Sequence, residues 1–179
     1  KEQLEAVLSW VAVAIASGRS MLDFLPRALE DLCRTLDAAL IALVPDESTP
    51  IVHRTDAGHE DLADVILREA QSAPGVRAYV VGPERAGDPG WAAYYTPVHV
   101  GRQRIGTLAA LRVHSEAFSP DERLALGRVA NLAALGWASE SYQRQRAEIA
   151  RMHERQRIAD DLHDDVAQIL FAAQLSLDA

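Results

Sequence analysis

Apolar residues recur every three or four positions in four stretches of the chain, and this spacing predicts amphipathic helices. The predicted helices are Leu4 to Ala16, Met21 to Leu36, His59 to Ser72 and a long one that begins at Pro120. A hydroxyl followed three residues later by an acid, as in a capping box, precedes two of them. These pairs are Ser20 with Asp23 and Ser119 with Glu122.

Stretches rich in β-branched and aromatic residues lie between the helices and predict strands. The predicted strands are Ala39 to Val44, Ile51 to Arg54, Val76 to Val81, Tyr94 to Val100 and Ile105 to Val113. Gly101 to Arg104 has the length of a hairpin turn, and the glycine- and proline-rich stretch from Gly82 to Trp91 predicts a loop. This order of elements indicates an α+β domain whose antiparallel sheet is flanked by helices.

The last predicted helix continues to the end of the sequence, because no glycine or proline follows Gly136. At 100° per residue, four apolar residues lie within ~40° of Leu162 on the helix surface. Two of them are Ile158 and Val166, and the other two lie nearer the C-terminus. Those two are Ile169 and Ala173. An apolar stripe on so long a helix needs a helical bundle or a coiled-coil partner, so we expect a homodimer through this helix.

Charge and cysteine content narrow the class of protein. The net charge is −8 and no basic block stands out, which argues against direct binding to nucleic acid or to an anionic membrane. Cys33 is the single cysteine, so an internal disulfide is excluded and a reducing cytoplasm fits. Cys33 lies beside Leu32 and near Leu36, which favours an inert core thiol over a nucleophile.

The sequence contains no apolar run of the ~20 residues that a bilayer crossing requires. It begins with Lys1 instead of Met and stops inside a helical pattern at Ala179. We therefore expect a cytoplasmic piece of a longer protein, with any membrane anchor in segments outside these residues.

An imidazole between carboxylates is the most unusual feature of the last helix. His163 precedes Asp164, and Gln168 follows Asp164 by one turn. His163 lies ~100° from the apolar stripe, so one side of its ring is open to solvent and can accept a phosphoryl group. A neighbouring carboxylate can fix the ring tautomer, and an amide one turn away can orient a water. A solvated helix face with incidental charges is the alternative.

Residues 154–170, ERQRIADDLHDDVAQIL, resemble the dimerisation and phosphoacceptor helix of sensor histidine kinases that pair with NarL-type response regulators. The resemblance implies that His163 is phosphorylated and that Asp164 orients or deprotonates it. It also implies that Gln168 positions water when the phosphorylated regulator is dephosphorylated. Asp160 stands where this family usually has arginine, which puts a phosphate-steering role there in doubt.

Two arginines of the same segment, Arg155 and Arg157, flank the histidine. They are candidates for meeting an acidic partner surface, although solvation or pairing with Glu154 and Asp161 is the simpler expectation.

The earlier part of the chain resembles a GAF domain over about residues 4–138. The resemblance rests on Thr96 to Val100, Ile105 to Leu108, and Ala117 to Glu122, which follow that family's hairpin and helix-start pattern. It implies a GAF-like sensor domain over residues 1–138, a helical linker over 139–153 and the start of a histidine-phosphotransfer helix over 154–179.

The GAF resemblance allows haem, cyclic nucleotides, bilins or small effectors as ligands, and the sequence does not choose among them. Trp91, Tyr94 and Tyr95 are weak pocket candidates, since aromatic residues at such a junction are more often core. His99 is the best available haem ligand, although a surface or satisfied histidine is the simpler interpretation. No histidine spacing suggests zinc, so no metal site is expected.

No glycine-rich phosphate loop and no Asn-bearing Mg²⁺ box is present, so we expect ATP and Mg²⁺ to be bound by a separate kinase domain. The expected function is the sensory and phosphoacceptor portion of a two-component histidine kinase. In it, the GAF domain controls ATP-dependent phosphorylation of His163 and transfer to an aspartate of a response regulator. The alternative is a non-catalytic GAF module that binds a small ligand and dimerises through a coiled-coil connector.

Overall fold

The computed structural model describes residues 2–55, 59–73, 75–83 and 89–177, except for the side chains of residues 164, 165 and 167–177. Contacts divide the chain into two units, Lys1–Glu140 and Ser141–Ala179. The helices are α1 (Glu2–Ala16), α2 (Met21–Thr35), α3 (Glu60–Ser72) and α4 (Pro120–Leu177). The strands are β1 (Leu40–Pro45), β2 (Ile51–Arg54), β3 (Arg77–Val81), β4 (Trp91–Val100) and β5 (Gln103–Arg112). Among the described residues, no helix is long and apolar enough to cross a membrane.

A five-stranded sheet in the order β2-β1-β5-β4-β3 is the centre of the first unit. Every neighbouring pair is antiparallel. Strand β1 is buried along its whole length, as expected for an apolar strand covered on both faces. The predicted α+β class with an antiparallel sheet and flanking helices is therefore confirmed.

The two faces of the sheet are covered by different helices. On one face, Ile41, Tyr94 and Leu108 pack with apolar residues of α1, α2 and the part of α4 within the first unit. On the other face, Ala42 and Tyr95 pack with residues of α3. Successive residues of a strand point to opposite faces, so each strand contributes to both cores.

The β4-β5 hairpin turns more tightly than the sequence suggested. Val100 pairs directly with Gln103, so the turn is only Gly101 and Arg102, and Gly101 adopts the left-handed region at φ 61°. A register shift between Val98 and His99 accompanies it. The prediction of a loop through residue 91 is also wrong at its end, because Trp91 already pairs with Val81.

Helix α2 begins differently from the capping box predicted for Ser20 and Asp23. Ser20 makes no side-chain cap to its own helix. Its hydroxyl donates instead to Glu140 Oε1 at 2.9 Å, and the same oxygen accepts the Met21 N–H. A carboxylate distant in sequence therefore satisfies the start of α2, where the helix dipole favours negative charge.

Helix α4 begins with the capping box that was predicted. The Ser119 N–H donates to Glu122 Oε2 at 2.7 Å, and the Glu122 N–H donates to Ser119 Oγ at 3.3 Å. Glu122 also forms an ion pair with the buried Arg112, whose Nη2 lies 2.7 Å from Oε1. Arg112 in turn donates to the Leu36 carbonyl and lies 4.4 Å from the centre of the Phe118 ring. One carboxylate thus joins α4 to β5 and, through Arg112, to the end of α2.

Gly106 allows β5 to approach β1. A Cβ at this position would lie 2.6 Å from the Val44 carbonyl oxygen and 2.9 Å from the Pro45 Cα. Both contacts are with backbone, which cannot move aside without disturbing the β1-β5 ladder. The glycine of the Ile105-to-Leu108 motif is therefore required by packing in the sheet.

We expect Gly106→Ala to destabilise the first unit by about 1–3 kcal/mol, because the added methyl group overlaps strand backbone. Gly127→Ala is the matched control, since a Cβ at that helical position meets nothing within 4 Å. The control should be neutral or stabilising by up to about 1 kcal/mol, because alanine favours helix. Urea unfolding of both variants measures the difference, and equal midpoints would contradict the packing role.

We expect Glu122→Gln to lower the free energy of unfolding by about 3 kcal/mol at neutral pH, because it leaves the buried Arg112 charge uncompensated. Burial alone would raise the pKa of Glu122, but hydrogen bonds from Arg112 and the Ser119 N–H outweigh burial and lower it. A lowered pKa stabilises the fold above the carboxyl group's unfolded pKa, and this stability is lost as pH falls through the folded value.

The gap between wild type and Glu122→Gln should therefore shrink when urea unfolding is repeated at acidic pH. Glu116→Gln changes the same charge on an exposed side chain nearby and serves as control. A gap between wild type and Glu122→Gln that is independent of pH would contradict the ion-pair role.

Candidate functional site

The candidate phosphoacceptor lies on the part of α4 that belongs to the second unit. His163 is exposed, and one of its flanks is formed by an apolar stripe. Ile158, Leu162 and Val166 of that stripe are 46%, 58% and 53% exposed. The backbone of Asp164 and Gln168 is helical, while their side chains lie outside the described residues.

The polar side chains before His163 are paired along the helix. Arg157 lies 2.7 Å from Glu154 through Nη2 and 3.0 Å from Asp161 through Nη1. The hydrogen bond from Arg157 lowers the pKa of Glu154. Gln156 Nε2 donates to Asp160 Oδ1 at 2.8 Å. Arg157 therefore holds two acids of its own helix, the simpler of the two arrangements expected for it.

This geometry is compatible with acceptor chemistry. An imidazole on an exposed helix face can be reached from solvent, as a phosphoryl acceptor has to be. Before His163, the described acids Glu154, Asp160 and Asp161 are held by side chains three or four residues away in the same helix. His163 thus stands at the border between an apolar stripe and a polar face.

The aromatic pocket candidates point into different parts of the first unit. Tyr94 belongs to the core beneath α1 and α2, and its ring lies 6.3 Å from that of Phe118. Tyr95 belongs to the opposite core, where its hydroxyl donates to Glu69 Oε2 at 2.9 Å. Burial is the main reason that the pKa of Tyr95 is raised, and Glu69 adds to it. The sheet separates the two phenol rings, so they do not line one cavity.

The other two candidates, Trp91 and His99, differ in burial. Trp91 is only partly buried, against the α3 core. His99 is exposed and lies beyond the register shift of β4. The period of two along a strand could have separated Tyr94 from Tyr95 at the level of sequence. Residues 84–88 precede Trp91 and lie outside the described residues.

Cys33 is held in the core, with its Sγ 3.8 Å from the His53 carbonyl oxygen. Burial raises the pKa of its thiol to about 12, so the thiolate is scarce at neutral pH. Within the described part of the chain, no group of three or more His, Cys, Asp or Glu side chains is placed to hold a metal ion.

Residues 154–179 match the family model HisKA_3, described as histidine kinase. This match covers the segment whose sequence resembled a phosphoacceptor helix, and it includes His163. The first unit is similar to solved GAF domains. The chain therefore combines a GAF-like fold with a C-terminal segment that matches a histidine-kinase family model.

Three solved structures illustrate the likeness of fold. The phycoerythrobilin-bound GAF domain of a cyanobacterial phytochrome is 15% identical, with a TM-score of 0.61, and the match covers 79% of this chain and 97% of that one. A GAF domain from a proposed sensor histidine kinase of Pseudomonas syringae pv. tomato is 12% identical, with a TM-score of 0.56 and coverages of 80% and 93%. Free methionine-R-sulfoxide reductase from Neisseria meningitidis, solved with its substrate, is 15% identical, with a TM-score of 0.52 and coverages of 80% and 94%.

Identities this low show the fold alone, and the three proteins differ in what they do. Both resemblances seen in the sequence are nevertheless confirmed, the GAF fold by structure and the histidine-kinase segment by its family. Pairing with a NarL-type regulator and the roles of single residues stay predictions.

Proposed function

We propose that the chain is the sensory and phosphoacceptor portion of a two-component histidine kinase. In this proposal His163 receives the γ-phosphoryl group of ATP and passes it to an aspartate of a response regulator. The GAF domain responds to a signal and controls the reaction. The observation that carries the proposal is an exposed imidazole at residue 163 within the segment that matches the histidine-kinase family.

The chemistry assigned to His163 is a nucleophilic displacement. The lone pair of one ring nitrogen attacks the γ-phosphorus, an N–P bond forms, and the bond to the leaving oxygen of ADP breaks. The other ring nitrogen gives up its proton, and we assign the neighbouring carboxylate of Asp164 to accept that proton. Transfer to the regulator's aspartate reverses the first step, with the carboxylate oxygen as the new acceptor.

Gln168 is assigned to the dephosphorylation of the response regulator. Its amide, one turn beyond Asp164, would orient a water toward the phosphoaspartate of the regulator. Arg155 is the arginine we assign to the acidic surface of a NarL-type regulator, because Arg157 is already paired with Glu154 and Asp161.

ATP and Mg²⁺ are assigned to a separate kinase domain, and a homodimer forms through α4. The HisKA_3 family implies self-association, and the exposed apolar side chains of the second unit support it. The class of GAF ligand is open, because Tyr94 and Tyr95 lie on opposite faces of the sheet and the GAF resemblance allows haem, cyclic nucleotides, bilins or small effectors.

Labelling with ATP tests the acceptor directly. The 179-residue chain is mixed with [γ-³²P]ATP and the ATP-binding domain of a HisKA_3-family kinase that labels its own acceptor helix. We expect acid-labile, alkali-stable label on the chain, and loss of about 99% or more of it in His163→Gln, because no other nucleophile replaces the imidazole. His153→Gln, almost three helical turns upstream, is the control and should keep its label.

Label that persists in His163→Gln would contradict the assignment of the acceptor. Complete absence of label on the wild-type chain would favour the non-catalytic GAF module with a coiled-coil connector. Without the added domain we expect no label at all.

A further inference from the structure

Two caps are available to the start of α2, and the structure uses the remote one. Ser20 has the extended backbone of an N-cap residue, with φ −62° and ψ 139°. Asp23 follows it by three residues, so a capping box within α2 could satisfy the first N–H groups of the helix. The Ser20 hydroxyl and the Met21 N–H instead donate to Glu140 Oε1 of α4. The local cap is therefore present in the sequence but not closed in the structure.

Glu140 lies at the point where α4 stops packing in the first unit. Gly136 is buried, residues 137–140 are half-buried, and residues 141–163 are exposed. A Cβ at Gly136 would lie 2.8 Å from both Cγ and Sδ of Met21, so the backbone of α4 rests directly on this side chain. Gly136 and Glu140 are four residues apart and so share one side of the helix. One turn of α4 therefore docks on the start of α2.

The corner between α1 and α2 is closed by its own backbone. The Gly18 N–H donates to the Ile15 carbonyl oxygen at 3.0 Å. The Arg19 N–H donates to the Ala14 carbonyl oxygen at 3.2 Å. With Gly18 at φ 69°, these two bonds form a Schellman motif. The end of α1 thus leads into Ser20 along a fixed path, and the start of α2 keeps its place whichever residue caps it.

We propose that Ser20, Asp23 and Glu140 form a two-state cap. It holds or releases the turn of residues 136–140 in α4. In the docked state Glu140 caps α2, as in the structure. In the released state the Ser20 hydroxyl accepts the Asp23 N–H, the Asp23 carboxylate accepts the Ser20 N–H, and the turn leaves the corner.

The exchange between the two states is balanced, because hydrogen bonds replace hydrogen bonds. In the docked state the Asp23 N–H donates to the Ser20 carbonyl oxygen at 3.1 Å, so the donor for the local cap is already beside Ser20. An acid stays beside the helix start in both states, where the helix dipole favours negative charge. Release exposes Met21, which is only 3% exposed in the docked state. Two arrangements of similar free energy allow a signal to shift the population between them.

Control of His163 is the use we assign to this cap, and that use rests on the proposed function. Helix α4 is continuous over Pro120–Leu177, so it carries His163 beyond the docked turn. A helix with exposed side chains depends on an anchored turn, because new helix is costly to start and easier to extend. The cap decides whether residues 136–140 act as this anchor.

Oxidation of Met21 by hydrogen peroxide measures release in the 179-residue chain. Peroxide transfers one oxygen atom to an accessible thioether sulfur, and peptide mass spectrometry gives the rate for each methionine. Met152 is 56% exposed and serves as the internal reference. Glu140→Gln should raise the rate at Met21 about tenfold, because it removes the charge that holds α4 on α2. An unchanged rate at Met21 in this variant would overturn the proposal.

Asp23→Ala should act in the opposite direction. It removes the local cap and should lower the rate at Met21 about threefold, whereas loss of an acid that only stabilises α2 would raise that rate. Asp61→Ala is the matched control, because it removes a first-turn acid from α3 and should leave the rate at Met21 unchanged.

A rescue variant separates the two-state cap from the stability of the fold. Ser20→Asp in the Glu140→Gln background gives α2 a strong N-cap of its own but no bond to α4. It should recover most of the urea midpoint lost in Glu140→Gln, while Met21 is oxidised as fast as in Glu140→Gln. A rate at Met21 that returns to the wild-type value in this variant, or that rises in Asp23→Ala, would overturn the proposal.

Phosphoryl labelling with the added ATP-binding domain tests the assigned use. Glu140→Gln and Asp23→Ala should shift the initial labelling rate at His163 in opposite directions, by about threefold or more, and Asp61→Ala should not shift it. Equal labelling rates in all three variants would refute control of His163 by the cap. Oxidation of Met21 needs no ATP. Absence of label on the wild-type chain would therefore refute the proposed function alone, whereas the Met21 rates decide on the two-state cap.

Discussion

Glu122 fixes the start of α4, and the packing of that helix in the first unit depends on it. Its carboxylate closes the capping box with Ser119 and also neutralises Arg112, which is only 4% exposed. A buried guanidinium without a partner would be strongly unfavourable. The ion pair therefore fixes the start of α4 relative to the end of β5. Once the first turn is set, the helical period decides which side of α4 packs, and Leu126 and Val129 are buried accordingly.

The second unit is constrained instead by the exposed apolar side chains along its helix. Its side chains from residue 141 to 163 are all exposed, although apolar residues recur along them with coiled-coil spacing. Pairs such as Arg157 with Glu154 contribute little free energy on an exposed helix. A helix of this kind gains most of its stability when its apolar stripe is covered. The family that its C-terminal part matches implies that a second copy covers this stripe.

Local signals in the sequence were sufficient for the elements and for the start of α4. The Ser119 and Glu122 capping box involves residues three apart, so sequence alone could locate it. The Ser20 and Asp23 box looked equivalent, but Glu140 takes its place from a position 119 residues away from Met21, which no local pattern reveals. The partnership of Arg112 with Glu122 likewise depends on how β5 meets α4.

In the candidate sites, too, sequence alone could locate features that depend on neighbouring residues, but not features that depend on distant ones. His163 could be proposed as the acceptor from sequence because the motif that surrounds it lies in one continuous segment, which the family model also matches. The ligand pocket could not, because it depends on which residues share a cavity, and Tyr94 and Tyr95 turn to opposite cores despite being neighbours. The glycine of the GAF-like hairpin motif was visible in the sequence, but its reason, the close approach to Val44 and Pro45, required the sheet register.

The central claim is that a second copy covers the apolar faces of residues 142–166. Sedimentation equilibrium of the 179-residue chain, compared with a variant carrying Ile149→Asp and Leu162→Asp, tests it most directly, because each substitution replaces an exposed apolar side chain of the second unit with a charge. We expect a dimer for the wild type through the micromolar range and a monomer for the double variant. A wild-type chain that stays monomeric throughout that range, or a double variant that dimerises equally well, would contradict the claim.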